Sequence, residues 1–259
     1  MLSGGAAKKL LGSVRRLLPR TDYVRFAGSV LPPRDMRSCG VEFRDDAFYL
    51  SSAESLAKSV RDRFGCRPET RILDVGCGQG RLATGIIRIL GAMNYIGIDV
   101  HRDSIQWCKR HIEARYPIFK FHLLPVRNER YNPRGVALTP GFRFDLPSGG
   151  FDLICLYAVF TNMSEVDMCI YLTALRHLLA HTGRVFFTAY AEDGVPPVTV
   201  NPEGYIAKRC SGPLHVVRYA RSYLLSLVAQ LGYAVERFDH AVEVNGQSAV
   251  CLSKSPASA

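Results

Sequence analysis

The stretch Ile72-Leu73-Asp74-Val75-Gly76-Cys77-Gly78-Gln79-Gly80-Arg81-Leu82 constrains this chain more than any other. An apolar run meets three alternating glycines, and a helix-like run follows. Glycines at such a junction let the backbone turn sharply from strand to helix, and they let a ligand approach with no Cβ in the way. That ligand sits beyond the carboxyl ends of the strands. A second apolar run, Tyr95-Ile96-Gly97-Ile98, ends at Asp99, 21 residues after Gly78. An acid there can accept two hydrogen bonds from ribose hydroxyls.

Around this junction strand-like and helix-like runs alternate. Strands are expected at 71–75, 94–98, 118–124, 151–158 and 183–190, and helices at 81–91, 102–115 and 164–181. Such alternation is the mark of βαβ crossovers and a parallel sheet, hence an α/β fold. A helix at 217–231 and strand-like runs at 233–239 and 248–254 close the pattern, and Asn245-Gly246 suits an antiparallel turn between the last two. Ahead of the alternating region, Ser51-x-x-Glu54 reads as a capping box opening a helix through about Phe64. The chain therefore divides into an N-terminal part, 1–70, and an α/β domain, 71–259. The connection 125–150 is long for a compact α/β unit and is expected to wall a binding site. Residues 19–50 and 191–216, rich in Pro and Gly, are expected to shape the acceptor pocket, the latter as a lid.

Composition excludes several classes. With 259 residues, 47% hydrophobic and 22% charged, the chain can bury a sizeable core and is not a disordered polymer. The longest apolar run, Leu153 to Phe160, is far short of the about 20 residues that a membrane-spanning helix needs. The N-terminus has no secretory h-region. The eight cysteines form no C-x-x-C pair and sit mostly in apolar runs. That usage suits a reducing cytoplasm, and no spacing suggests a metal site. The net charge is +10, and Lys8, Lys9, Arg15, Arg16 and Arg20 supply half of it in an acid-free start. Residues 8–18 have the spacing of an amphipathic helix with a basic face. Such a helix either packs on the body with its charges in water or makes peripheral contact with an anionic membrane.

Gly78-Gln79-Gly80-Arg81-Leu82-Ala83 formally matches a nicotinamide fingerprint, a weak signal alone. Against it stands Asp74, a carboxylate placed where a diphosphate would lie; a cationic amino-acid end suits it better. Asp74-Val75-Gly76-Cys77-Gly78-Gln79-Gly80 and Gly97-Ile98-Asp99 resemble the first two motifs of the class I S-adenosylmethionine-dependent methyltransferases, small-molecule branch, over roughly 70–255. The resemblance implies a Rossmann-like, seven-stranded, mostly parallel sheet with a C-terminal antiparallel hairpin, preceded here by the N-terminal helical arm. It implies S-adenosylmethionine as cofactor, with Asp74, Gly76, Cys77, Gly78, Gly80 and Arg81 around its methionine part. Asp99 would hold the ribose and Val100 pack near the adenine. Val126, through its backbone, and Asn128 are the adenine-edge candidates, and Tyr157 lies at the methyl end.

The same resemblance places the end of strand 151–158 against the transferred methyl. The tetrad of amino-methylating nucleic-acid enzymes and the Pro-Cys pair of cytosine C5 chemistry are both missing, which disfavours nucleic acid. A small-molecule or saccharide hydroxyl is the expected acceptor. Bacterial members often carry Phe-Thr-His-Met where this chain has Phe160-Thr161-Asn162-Met163, so a base is sought elsewhere. His215 is the base candidate, with Asn162, Tyr157 and Glu192 as strand-end alternatives. The competing reading is a methyltransferase-like binding module that docks on an anionic membrane or RNA through its basic N-terminus.

Overall fold

The computed structural model describes residues 22–38, 40–205 and 212–255. The basic segment 8–18, Cys39 and Cys210 lie outside them.

The arm begins with a small hairpin, β1 (Val24–Phe26) against β2 (Ser29–Leu31). The buried Arg37 guanidinium then donates to the carbonyls of Pro32 and Phe43 and to Asp46 Oδ1 at 2.7 Å. Arg34 reaches the other Asp46 oxygen. Beside Arg34 first and Arg37 next, the Asp46 carboxyl is held below its ordinary value although burial opposes this. An arm expected to be irregular is thus knotted to the start of α1 (Asp46–Phe64). The capping-box reading is corrected here. Asp45 caps the helix by accepting the Phe48 N–H at 2.8 Å, and Ser51 and Glu54 lie within it. A carboxylate one residue before a doubly paired acid satisfies the orphan amides one and a half turns earlier than the serine would. Glu54 instead pairs with Arg88 of the next helix at 2.6 Å. Gly65 ends α1 in the left-handed conformation.

The sheet then builds as β3 (Arg71–Val75), α2 (Arg81–Ile89), β4 (Asn94–Asp99), α3 (Arg102–Cys108), β5 (Phe119–Leu123), β6 (Phe151–Leu156), α4 (Glu165–Leu178) and β7 (Leu179–Glu192). After these come β8 (Val198–Val200), β9 (Val217–Ala220), α5 (Arg221–Gln230), β10 (Tyr233–Glu243) and β11 (Gln247–Lys254). The strand order is β10-β11-β7-β6-β3-β4-β5, parallel from β7 to β5, with β11 antiparallel to both its neighbours. The expected α/β class and closing hairpin are therefore present. Two further strands, β8 and β9, extend the β7 edge.

The second correction concerns 217–231, expected as one helix. Val217-Arg218-Tyr219-Ala220 pairs parallel to β7, and the helix begins only at Arg221. β-Branched and aromatic side chains with Val217 and Tyr219 fully buried favour a strand there. The helix expected over 102–115 is also not uniform: its last turn, Lys109–Glu113, is a π-turn.

Period-two alternation divides the core between the two faces of the sheet. Leu73, Ile154 and Phe187 face α4 and α5. Ile72, Leu153 and Phe186 face α1 and α2. Helices α1 and α2 approach so closely at Gly85 that a Cβ there would stand 1.9 Å from the Ala53 carbonyl oxygen. Fixing α2 against α1 fixes the glycine junction at the α2 start, which positions the site.

Candidate active site

A cavity of about 550 Å³ opens at the carboxyl ends of β3, β4, β5 and β6. One end is built from the two loops that the sequence singled out. The Gly76 and Cys77 N–H groups both donate to the Ile98 carbonyl, at 2.8 and 3.1 Å, which clips the glycine loop to β4. Gly78 has φ +52°, and a Cβ there would meet nothing within 4 Å, so its Cβ direction opens into free space beside the ligand path. Asp99 accepts the Gly78 N–H at 2.7 Å through Oδ2 and the His101 N–H at 2.7 Å through Oδ1. Burial raises the Asp99 carboxyl above its ordinary value, and these N–H groups pull it back. Backbone donors from Gly78, Val100 and His101 orient the carboxylate, which lines the cavity. His101 also caps α3, and Ser104 links it at 2.8 Å to a 2.8 Å bond from Gln79.

The other end is assembled from distant segments. The arm contributes Met36, Ser38 and Gly40, the connection after β5 contributes Asn128, Arg130 and Tyr131, and the β6 loop contributes Tyr157, Thr161, Asn162 and Met163. Tyr171, Tyr190, His215 and the turn residues Asn245 and Gln247 complete it. Two asparagines tie these pieces. Asn128 Oδ1 accepts the Arg130 and Tyr131 N–H groups, and its Nδ2 donates to the Asn162 carbonyl at 3.1 Å. Asn162 Nδ2 donates to the carbonyls of Leu214 at 3.0 Å and His215 at 2.7 Å. Leu214 has φ +46°, a conformation that an L-residue keeps only when its surroundings hold it. On the floor, the Ala158 N–H donates to Thr188 Oγ1, whose hydroxyl donates to Gln247 Oε1 at 2.6 Å.

The expected site residues therefore separate into two groups. Gly76, Gly78, Asp99, Val100, Asn128, Tyr157, Asn162 and His215 line the cavity. Asp74, Cys77, Gly80, Arg81, Val126 and Glu192 are not on its wall among the described residues. Asp74 was expected to meet a cationic ligand end. It lies beneath the loop instead, accepting the Tyr95 hydroxyl at 2.5 Å, and burial pushes its carboxyl up to about 7. Cys77 packs against β4, Gly80 against Ile112 and Cys108, and the Arg81 guanidinium stacks 4.9 Å over the Phe43 ring. The Val126 carbonyl accepts from Asn132 Nδ2. Asn128 spends its amide on the loop ties above. Glu192 accepts the Tyr205 hydroxyl at 2.6 Å. Sequence reasoning passed over Gln79, Ser104, Thr188 and Gln247. A hydroxyl inside the buried run Val185-Phe186-Phe187-Thr188 was a usable signal, since a polar group in a core needs a partner. Nothing local marks Gln247.

The structure also supports a fit to an adenosyl ligand. The Tyr157 hydroxyl is buried at the wall with no hydrogen-bond partner among the described residues, and burial raises its phenol well above the ordinary value. An orphaned buried hydroxyl, the open space at Gly78 and the oriented Asp99 carboxylate form a donor and acceptor set that suits a ribose and an amino-acid tail. No group of three or more metal-ligating side chains exists among the described residues. None of their helices is long and apolar enough to cross a membrane.

A family described as "Methyltransferase domain" matches residues 67–211, more than half of the chain. The mitochondrial ubiquinone biosynthesis O-methyltransferase of Saccharomyces cerevisiae is 39% identical over 56 residues, which is 22% of this chain and only 18% of that protein's length. Among solved structures, the [4+2]-cyclase SpnF superposes with a TM-score of 0.57 at 14% identity, covering 79% of this chain and 82% of that one. The glycopeptide N-methyltransferase MtfA, complexed with sinefungin, gives 0.56 at 12% identity, with coverage of 79% and 94%.

Proposed function

The chain belongs to the class I S-adenosylmethionine-dependent methyltransferases, and from that premise we propose that it methylates a hydroxyl on a small molecule or sugar. S-adenosylmethionine is the cofactor, and when bound it supplies a methyl group activated by its sulfonium. The binding-module alternative has no support among these observations.

The observation that carries the reading is the convergence of Gly78, Asp99 and the Tyr157 hydroxyl on one cavity that continues to His215. Asp99 receives the ribose hydroxyls. Gly76 and Gly78 let the methionine part lie against the backbone, and Val100 flanks the adenine. The cavity then places the acceptor among Tyr157, Asn162, Tyr190 and His215. Holding two reactants in line supplies much of the rate of such a displacement. His215 accepts the hydroxyl proton at an imidazole nitrogen as the new oxygen–carbon bond forms. Asn162 acts through His215: its amide fixes the backbone that carries the imidazole. The fold alone does not select methyl transfer to oxygen, since a cyclase shares it. The partial match to an O-methyltransferase supports oxygen.

A thermal-shift titration tests the reading. S-adenosylmethionine and S-adenosylhomocysteine at about 100 times their dissociation constants stabilise the native state by about 2.7 kcal/mol, a rise of roughly 5–10 °C. NAD and NADP are expected to give no shift. A shift with the nicotinamide ligands alone contradicts the proposal.

A further inference from the structure

Gln247 opens β11 directly after the turn Val244–Gly246, and it stands on the wall of the acceptor end. It is only 7% exposed. Its Oε1 accepts the Thr188 hydroxyl at 2.6 Å, and Thr188 Oγ1 in turn accepts the Ala158 N–H at 2.8 Å. This relay fixes which way the amide points. The Thr188 hydroxyl is buried and has a single proton to place. Among the described residues Gln247 Oε1 is the one acceptor for that proton. Turning the amide over would set Nε2 against Thr188 and leave the buried proton without an acceptor, at a cost of about 1–3 kcal/mol. Oε1 therefore lies against Thr188. Nε2, a group with two N–H donors, is left on the cavity side with no hydrogen-bond partner among the described residues.

Resting on the methyltransferase reading, we propose that the acceptor carries a carbonyl oxygen that receives the Gln247 Nε2 donor, with its hydroxyl directed to His215. A carbonyl has two lone pairs and no proton of its own, so it matches a group that only donates, whereas a second hydroxyl must turn its proton away. An acceptor body that fills this end without such an oxygen leaves Nε2 dry and unpaired. Sites built to hydrogen-bond a substrate reject analogues lacking the matching group for that reason. Tyr171 and Tyr190 stand on the same wall, and their rings suit a flat, aromatic acceptor body. Gln247 is therefore a specificity-determining residue of the acceptor end. Thr188 is a positioning residue, acting through the amide that it orients.

The test uses the full chain saturated with S-adenosylhomocysteine and matched pairs of phenols, each hydroxyacetophenone isomer against the ethylphenol of the same substitution. The members of a pair differ in a carbonyl against a methylene. Calorimetry should show the best-bound ketone binding about tenfold or more tighter than its partner. Gln247→Glu keeps an oxygen for the Thr188 hydroxyl and puts a second oxygen where the donor stood, so the ketone preference disappears. S-adenosylhomocysteine affinity stays the same in that variant, which also shows that it folds. A second measurement needs no ligand-binding variant. In proton–nitrogen correlation spectra of the unaltered chain, the Gln247 side-chain amide signal should move when the ketone is added and stay in place with the ethylphenol. Equal binding of the paired compounds overturns the proposal. So does a ketone preference that survives Gln247→Glu, an amide signal indifferent to the ketone, or a panel in which no ketone binds. Failure of S-adenosylhomocysteine to bind the unaltered chain is a different result: it strikes the methyltransferase reading itself.

Discussion

The two ends of the cavity are made in different ways. The glycine-loop end comes from about thirty consecutive residues, a β3–α2–β4 unit whose loops are clipped to each other by backbone N–H groups: Gly76 and Cys77 donate to the Ile98 carbonyl, and Gly78 to the Asp99 carboxylate. The acceptor end is gathered from the arm, the connection after β5, the β6 loop, segment 214–216 and the turn before β11. Side-chain amides and hydroxyls hold it together: Asn128, Asn162, Thr188 and Gln247. A cofactor shared by many reactions can be served by local chain geometry. An acceptor particular to one enzyme is served by loops that can change without disturbing the sheet.

The sharpest way to break this contrast is to fill the cradle. Gly78→Val strains a left-handed position, at roughly 1–2 kcal/mol, and projects a branched side chain toward the ligand path. Calorimetry should show S-adenosylhomocysteine affinity falling by about a hundredfold or more, a loss of about 2.7 kcal/mol. Acceptor-end changes should leave that affinity alone. Asn162→Ala removes the donor from the Leu214 and His215 carbonyls, so initial-rate kinetics should show turnover down roughly tenfold or more, with S-adenosylhomocysteine binding unchanged. If both fall together, the two ends are not independent. Thr188→Val keeps the shape but orphans the Ala158 N–H and the Gln247 amide oxygen; denaturant melts should register a loss of about 1–3 kcal/mol.

A different kind of effect, read against pH, belongs beneath the loop. Asp74 has a folded-state carboxyl value of about 7, well above its unfolded value near 3.8. Between those values the native state binds more protons than the unfolded state, so this group makes stability fall as pH rises, by at most about 1.4 kcal/mol per pH unit. Asp74→Asn removes that slope. Urea melts of the unliganded protein from pH 4 to 8 should show the variant gaining on the parent as pH rises, and levelling above about 7.

The same contrast explains what the sequence could and could not reveal. Strand and helix periodicity, three glycines and an acid at a strand end sufficed for the sheet and for one end of the cavity, because those signals are local. Local reasoning misplaced the α1 start, since the Arg34 and Arg37 grip on Asp46 comes from the arm. It merged β9 into a helix, since only pairing with β7 makes Val217–Ala220 a strand. It assigned Asp74 to the ligand because spacing is silent about Tyr95, whose hydroxyl arrives from the neighbouring strand. It reached His215 and Asn162 as separate candidates. That one amide holds the other residue's backbone depends on the chain folding back over a separation of 53 positions, which no pattern encodes.

The most direct test of the central assignment is a calorimetric titration of S-adenosylhomocysteine into the parent chain and Asp99→Asn. The amide keeps one oxygen for the backbone N–H groups that Asp99 serves, so the loop retains part of its support, whereas Asp99→Ala would release both. The account predicts that the parent binds and that Asp99→Asn weakens binding by about tenfold or more, at roughly 1.5–3 kcal/mol for lost charge-assisted bonds. Equal affinity in the two proteins would contradict it, and would remove Asp99 from the ligand and the glycine-loop end from its proposed role.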